Sequence, residues 1–553
     1  MADDGDPHPY LPTLRRQFAE GRVSRREFLR TATLLGLSAG AAYAFAGVRG
    51  GVRTARAAAG ELPKGGTCRV GMPVQDLSTP HAYSWLQSDI TRQVCQYLTR
   101  TNQDNVTVPE LLQAWTASED LRTWTLNLRR GIAWHDGRPF VADDVVWNLE
   151  HLLDPDTGSS TLGLMKGYLL KEVETEDGGT TTELWDANAI EKLDDHTVRL
   201  NLKQPQLAVP EHLFHYPNHM LDPAENGQFG PGSNGTGPFR LIDYEVGQRA
   251  VLAANPDYWG EGPHLDRLEM IDLGGDGSAE LAALESGQID ILRDMNIRLS
   301  DSVARMDHAA YQSAPSGQTA VARVQVDKKP FDDPRVRKAL RLAVDTPRVL
   351  EIAHQGEGIA GEHHHVCPIH PEYADIGRMP QDLERARALL AEAGYPDGLD
   401  LEIACKNSPD WELDAVQAMQ QMWAQAGLRV SINNMPASAY WDVWTQVPFG
   451  FTDWAHRSLG IMALALAYQS GGDWNESNYA NPELDRLLTE AEGIPDPEAR
   501  RAVMAEIERI MQEDGPIVQP LWRAVFAAAN NRVKGFRLHP VMWIFGEELA
   551  VES

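Results

Sequence analysis

Cysteine is scarce: there are four in 553 residues, and none sits in a C-x-x-C spacing. That argues against a disulfide scaffold, a structural zinc site and a thioredoxin-like centre. Cys68, Cys95, Cys367 and Cys405 allow three complete pairings, and the sequence does not choose among them. Positive charge is short as well, with 50 Lys and Arg against 79 Asp and Glu and a formal net charge of -29. Such a surface repels nucleic acid and anionic membranes. The first 59 residues carry nine Arg against five Asp or Glu, so the remainder is more acidic still. Beyond residue 48 no apolar run approaches the roughly 20 residues that a spanning helix needs. Internal repeats are missing too. Two matches to chemical motifs fail on context. Gly36-Leu37-Ser38-Ala39-Gly40 spells a nucleophile elbow, but it lies inside the N-terminal apolar run 31–48, without the strand–turn–helix context that the motif needs. Gly230-Pro231-Gly232-Ser233-Asn234-Gly235 spells a dinucleotide loop, but Pro231 intrudes and neither the strand before it nor the helix after it is present. No Ser or Cys nucleophile accompanies pairs such as His135-Asp136, so the reading is of a protein that is not an enzyme and needs no cofactor.

What is present begins with Ser24-Arg25-Arg26-Glu27-Phe28-Leu29-Arg30, paired arginines ahead of an apolar run over residues 31–48. This is the address of the twin-arginine export route. Small-residue sites follow at Ala55-Arg56-Ala57 and Ala57-Ala58-Ala59, which predicts cleavage near Ala57–Ala59 and a periplasmic mature protein. The competing reading is an uncleaved N-terminal anchor, which the small residues disfavour. Cys68 follows Gly65-Gly66-Thr67 without the Leu-like residue that a lipoprotein site requires.

Length alone predicts two or three lobes. Strands are predicted over 68–72, 123–128, 197–202, 289–292, 400–404 and 428–432, and a hairpin over 239–244 and 249–253. Helices are predicted over 89–98, 142–153, 279–286, 334–342, 382–393 and 413–425. The first half reads as mixed and leaning antiparallel, the part beyond Pro330 as alternating α/β. The acidic run 172–183 reads as a solvated loop.

Four strings stand in order along the chain: WTLNLRRGIAWHDGRPFVADDV (124–145), GTGPFRL (235–241), NPDYW (255–259) and FDDPRVRKAL (331–340). Together they resemble the extracellular solute-binding protein family 5, the receptors of oligopeptide, dipeptide and nickel ABC transporters. Each string alone reads as a turn or a helix start; their conjunction carries the resemblance. It implies an α/β, bilobed periplasmic-binding-protein fold with a hinge, an extra α+β domain, and a ligand trapped by closure of the lobes. Mapped here, 1–59 is the signal peptide and 98–236 the inserted domain. The base lobe takes 60–97, 237–318 and 520–553, and the second lobe takes 319–519. The implied partners are an ABC permease and the twin-arginine machinery, with no nucleic acid and a monomeric receptor; a sensor that signals through a membrane partner is the other possibility in this class.

One departure from the family pattern bears on the ligand. Peptide-binding members carry a Trp followed three residues later by an Asp that holds the peptide's ammonium group. Here Trp454 is followed by Ala455, His456 and Arg457, so a donor fork suited to a carboxylate stands where that Asp is expected. The resulting expectation is a small anionic or zwitterionic solute, peptide-like or a modified amino acid, near Arg457, with a plain di- or oligopeptide as the alternative. A pairing of Arg457 with Asp453 would instead hold the loop in shape. Trp441, Trp444, Trp454, Tyr468 and Trp474 are candidates for an aromatic wall, joined by His456 and, from the first loop of the base lobe, by Tyr83 and Trp85. Residues 362–370 gather Glu362, His363, His364, His365, Cys367 and His370. His364 and His365 are candidates for lining the ligand. A nickel or metallophore carrier using the His363–His370 loop is the rival from another class, although adjacent side chains of an extended segment point to opposite faces.

Overall fold

A computed structural model describes residues 7–47, 62–83, 85–175, 178–472 and 474–552. The chain divides into two compact units. One comprises residues 1–314 and 526–553, the other residues 315–525.

In the first unit the strand Thr67–Gly71 is central, running parallel to both Arg267–Ile271 and Ile291–Leu292. The hairpin Phe239–Glu245 and Arg249–Ala254 extends the sheet antiparallel beyond Arg267–Ile271. Alternating apolar residues explain the core: Cys68, Val70, Leu252, Leu268, Met270 and Ile291 are buried together with Ile90 and Val94. A separate antiparallel sheet in this unit orders Leu112–Ala117, Thr123–Leu128, Thr197–Asn201 and Ile190–Asp194. The helix Ala142–Leu153 has the ends that its 3.6-residue pattern predicts.

Two expectations are corrected in this unit. The helix predicted over 89–98 is only Ser88–Thr91. The carbonyls of Gln93 and Val94 accept from the N–H groups of Phe239 (3.0 Å) and Gly237 (2.8 Å), so the backbone is diverted to the GTGPF segment. The acidic run forms a two-stranded ribbon, Leu170–Glu174 against Thr180–Leu184. The β-branched Thr180, Thr181 and Thr182 favour a strand there. Lys166 and Lys171 pair with Glu172 (2.8 Å) and Glu183 (3.0 Å), offsetting part of its charge.

The N-terminal segment is three helices, Leu11–Ala19, Arg25–Leu34 and Ala39–Phe45. Among the described residues no helix is long and apolar enough to cross a membrane. Gly36 breaks the apolar run: it has φ +89°, and a Cβ there would lie 2.6 Å from the Trp115 carbonyl oxygen. The helices pack on the rest of the unit. Arg30 Nε donates to the Asn105 carbonyl (2.7 Å), and Trp115 Nε1 donates to the Leu34 carbonyl (2.9 Å). Arg25 and Arg26 are exposed at the start of a helix closed by a Ser24–Glu27 capping box. The expected cleavage positions Ala57–Ala59 lie outside the described residues.

In the second unit the strand Phe449–Trp454 lies antiparallel to residues 319–324 and meets Leu399–Lys406, which runs parallel to Leu428–Met435. Helices Pro334–Leu342, Thr346–His354, Leu383–Glu392 and Asp410–Gln425 supply core residues such as Val336, Leu340, Val349, Leu389, Met419 and Trp423. All four cysteines are buried, and none forms a disulfide. Burial pushes the Cys405 thiol up to about 12, and raises the thiols of Cys68 and Cys95 as well, so none of these three is a ready nucleophile.

Candidate functional site

The candidate site of the second unit is built on a buried ion pair. Arg323 Nε donates to Glu476 Oε2 (2.6 Å), with both side chains at most 2% exposed. Thr452 Oγ1 donates to the same oxygen (2.6 Å), and Trp454 Nε1 donates to Glu476 Oε1 (3.2 Å). Arg323 also donates to the carbonyls of Val447 and Trp444. One guanidinium and one carboxylate thereby fix the backbone beside Trp444 and the indole of Trp454. Burial raises the Glu476 carboxyl above its ordinary value while Arg323 opposes the shift.

On this base the aromatic side chains form a continuous array. Ring centroids are 5.7 Å apart for Trp441 and Trp444, 6.1 Å for Trp444 and Trp474, and 6.1 Å for Trp454 and Trp474. His365 continues it, 5.6 Å from Trp454 and 5.4 Å from Tyr468. The array grades from solvent to core. Trp441 is 42% exposed, Trp444 and Trp474 are half-buried, and Trp454 and Tyr468 are buried. The outer three rings are therefore the accessible wall. Tyr468 and His365 share a hydrogen bond of 2.7 Å and brace the array from behind.

Arg457 reaches this array, its Cζ 5.9 Å from the Trp454 ring centroid, and its Nη1 donates to the Ala455 carbonyl (3.1 Å). Asp453 is engaged elsewhere, in an ion pair with Lys406, which lies 3.2 Å from Glu412 as well. The Lys406 ammonium sits 4.5 Å from the Trp441 ring centroid, a second cation on the wall that the sequence reading missed. Its only sequence signal is a Lys ending an otherwise apolar strand stretch, Ile403-Ala404-Cys405. Burial opposes the charge on Lys406, yet Asp453 and Glu412 hold its pKa above the ordinary value. Burial lifts Glu412 to about 8.

The histidine loop disperses its donors. His363 Nδ1 accepts from the Gln519 N–H (3.2 Å), His364 stands 3.2 Å from Glu362, and His365 faces Tyr468. His370 Nδ1 accepts from the Cys367 N–H (2.9 Å), and its Nε2 lies 3.0 Å from the Arg457 carbonyl. Among the described residues no three His, Cys, Asp or Glu side chains are grouped so as to hold a metal ion. His364 is not part of the ring array; its neighbours are the rings of Tyr373 and Trp522. His456 Nδ1 accepts from the Gly317 N–H (2.9 Å), a contact that shapes the backbone.

In the first unit Tyr83 is buried in the core, its hydroxyl 3.4 Å from Thr91 Oγ1. Trp85 is half-buried, and Arg293 lies over it with Cζ 5.1 Å from the ring centroid. Arg293 is a second residue that the sequence reading did not single out.

Solved structures define the fold class. The peptide-bound periplasmic binding protein DppA of Helicobacter pylori superposes with a TM-score of 0.77 at 20% identity, covering 89% of this chain and 99% of that one. The fold is that of the bilobed periplasmic binding proteins. The profile of the bacterial extracellular solute-binding proteins, family 5 (middle region), matches residues 106–476, and this chain belongs to that family. Its relatives include heme-binding protein A of Haemophilus influenzae, 26% identical over 78% of this chain and 82% of that one. Another is the glutathione-binding protein GsiB of Salmonella choleraesuis, 25% identical over 85% of this chain and 91% of that one.

Proposed function

We propose that this chain is the solute receptor of an ABC importer, exported by the twin-arginine route, which captures a small peptide-like or modified amino acid bearing an anionic group. Membership of the family supports the receptor class. The observation that carries the cargo reading is Arg457 against Trp454 while Asp453, its alternative partner, is paired with Lys406. A guanidinium on an aromatic wall suits a carboxylate and repels an ammonium. The outer rings Trp441, Trp444 and Trp474 offer flat apolar surface to the rest of the solute. The names of two relatives, a glutathione-binding and a heme-binding protein, fit carboxylate-bearing cargo. The receptor is read as a monomer that performs no chemistry on its cargo.

A thermal-shift screen of the purified chain with glutathione, heme, neutral and cationic dipeptides and nickel tests this reading. A ligand present at a hundred times its Kd stabilises by about 2.7 kcal/mol. Carboxylate-rich compounds should raise Tm, and Arg457→Asp should abolish the rise. Stabilisation by cationic dipeptides or by nickel, unchanged in Arg457→Asp, would overturn the cargo assignment.

A further inference from the structure

Arg293 directly follows the strand Ile291–Leu292, which runs parallel to Thr67–Gly71, and its own N–H donates to the Gly71 carbonyl (3.2 Å). It thus stands at the carboxyl ends of adjacent parallel strands, where α/β sheets receive their ligands. Its side chain is 1% exposed. Nε donates to Asp89 Oδ2 (2.6 Å), and the second Asp89 oxygen accepts from the Ile544 N–H (2.9 Å). Asp89 is itself fully buried, so the guanidinium is clamped by one edge. Both terminal nitrogens, Nη1 and Nη2, are buried and have no hydrogen-bond partner among the described residues. A buried donor left without a partner is destabilising, more so when it is charged. Two such donors on one planar fork form a bidentate receptor for a carboxylate. The half-buried Trp85 ring lies 5.1 Å from Cζ.

We propose that Arg293 is the docking point, in the first unit, for a carboxylate of the transported solute, with Asp89 as its positioning residue and Trp85 as a flanking ring. The proposal rests on the solute-receptor reading and adds a recognition element independent of Arg457. A single Asp89 oxygen on Nε leaves the terminal edge of the fork open. Because the clamp is preformed, docking a carboxylate requires little further ordering.

Calorimetry of the full chain with two acid and blocked pairs tests it: glutathione against its monoethyl ester, and trialanine against trialaninamide. In the wild type the free acids should bind at least tenfold tighter than their blocked forms. Arg293→Gln strands a buried Asp89 charge, so the Arg293→Gln/Asp89→Asn double variant is measured beside it; its Asn can still accept from Ile544. Loss of the acid preference in the double variant, with blocked compounds bound as in the wild type and partial recovery in Arg293→Lys, is the expected result. An acid preference that persists in the double variant overturns the proposal and leaves the receptor reading intact, as does a wild type that binds acid and blocked forms alike. A wild type that binds none of the four compounds contradicts the peptide-like cargo reading itself, and the proposal falls with it.

Discussion

Glu476 anchors Trp454 directly and the Trp444 backbone through Arg323, because Arg323, Thr452 and Trp454 all donate to it. Removing one partner of a buried ion pair leaves the other uncompensated, at a cost of about 3–5 kcal/mol. Glu476→Ala should therefore lower unfolding free energy by about that amount in urea titrations, and Glu476→Gln, which can still accept from the Trp454 indole, by clearly less. Equal losses would mean that the charge on Glu476 contributes nothing. This carboxylate was invisible in the sequence, where it sits in an unremarkable Asn475-Glu476-Ser477 turn. Arg457 and Trp454 stood out in the sequence as candidates because a family pattern marks their place, and the neighbouring tryptophans because they cluster around them along the chain. Lys406 and Arg293 were not, because what sets them apart is the tertiary partners of their charged ends, Asp453 and Asp89.

At the scale of the element, two of the strings that carried the resemblance, 124–145 and 235–241, are joined to each other in the fold. His135 donates its N–H to the Gly235 carbonyl (2.8 Å), and its Nε2 lies 2.9 Å from the Gly237 carbonyl oxygen, so two strings about 100 residues apart interlock. A Cβ on Gly235 would stand 2.1 Å from the Val94 oxygen, and only glycine permits that approach. Gly235→Ala should cost about 1–3 kcal/mol by forcing the backbones apart. Gly230→Ala, which meets nothing within 4 Å, should stay within about 0.5 kcal/mol of the wild type. Thermal melts of the two variants make the comparison, and equal Tm values would refute the steric account. Elements with strong periodicity, such as Thr123–Leu128 and Pro334–Leu342, were readable to the residue. The helix predicted from residue 89 was not, because long-range backbone bonds at Gln93 and Val94 override local preference.

For the whole molecule, burial of ionisable groups sets a pH window. Burial holds His81, His212, His363, His365 and His539 down to about 3, from 6.5. Below pH 6.5 the unfolded chain takes up protons that the native chain refuses, so their contribution is lost as pH falls toward 3. Burial also raises Glu110 and Glu280 to about 7, Glu412 to about 8 and Glu508 to about 9, from 4.5. These carboxyls keep protons in the native state that the unfolded chain releases, so their contribution is complete below pH 4.5 and is lost as pH rises through 7 to 9. Tm should peak between about pH 4.5 and 6.5 and decline on both sides. A Tm that rises steadily from pH 6.5 to 9 would show that these carboxyls are ionised in the native protein.

The N-terminal helices carry a consequence of an optical kind. Trp115 gives its indole hydrogen to the carbonyl of Leu34, and Gly36 packs against the Trp115 backbone. Any proteolytic trimming that takes away residues 1–59 removes that acceptor and opens the ring to water, which red-shifts indole emission. One of the fifteen tryptophans thus responds, in its fluorescence, to the presence of the N-terminal helices.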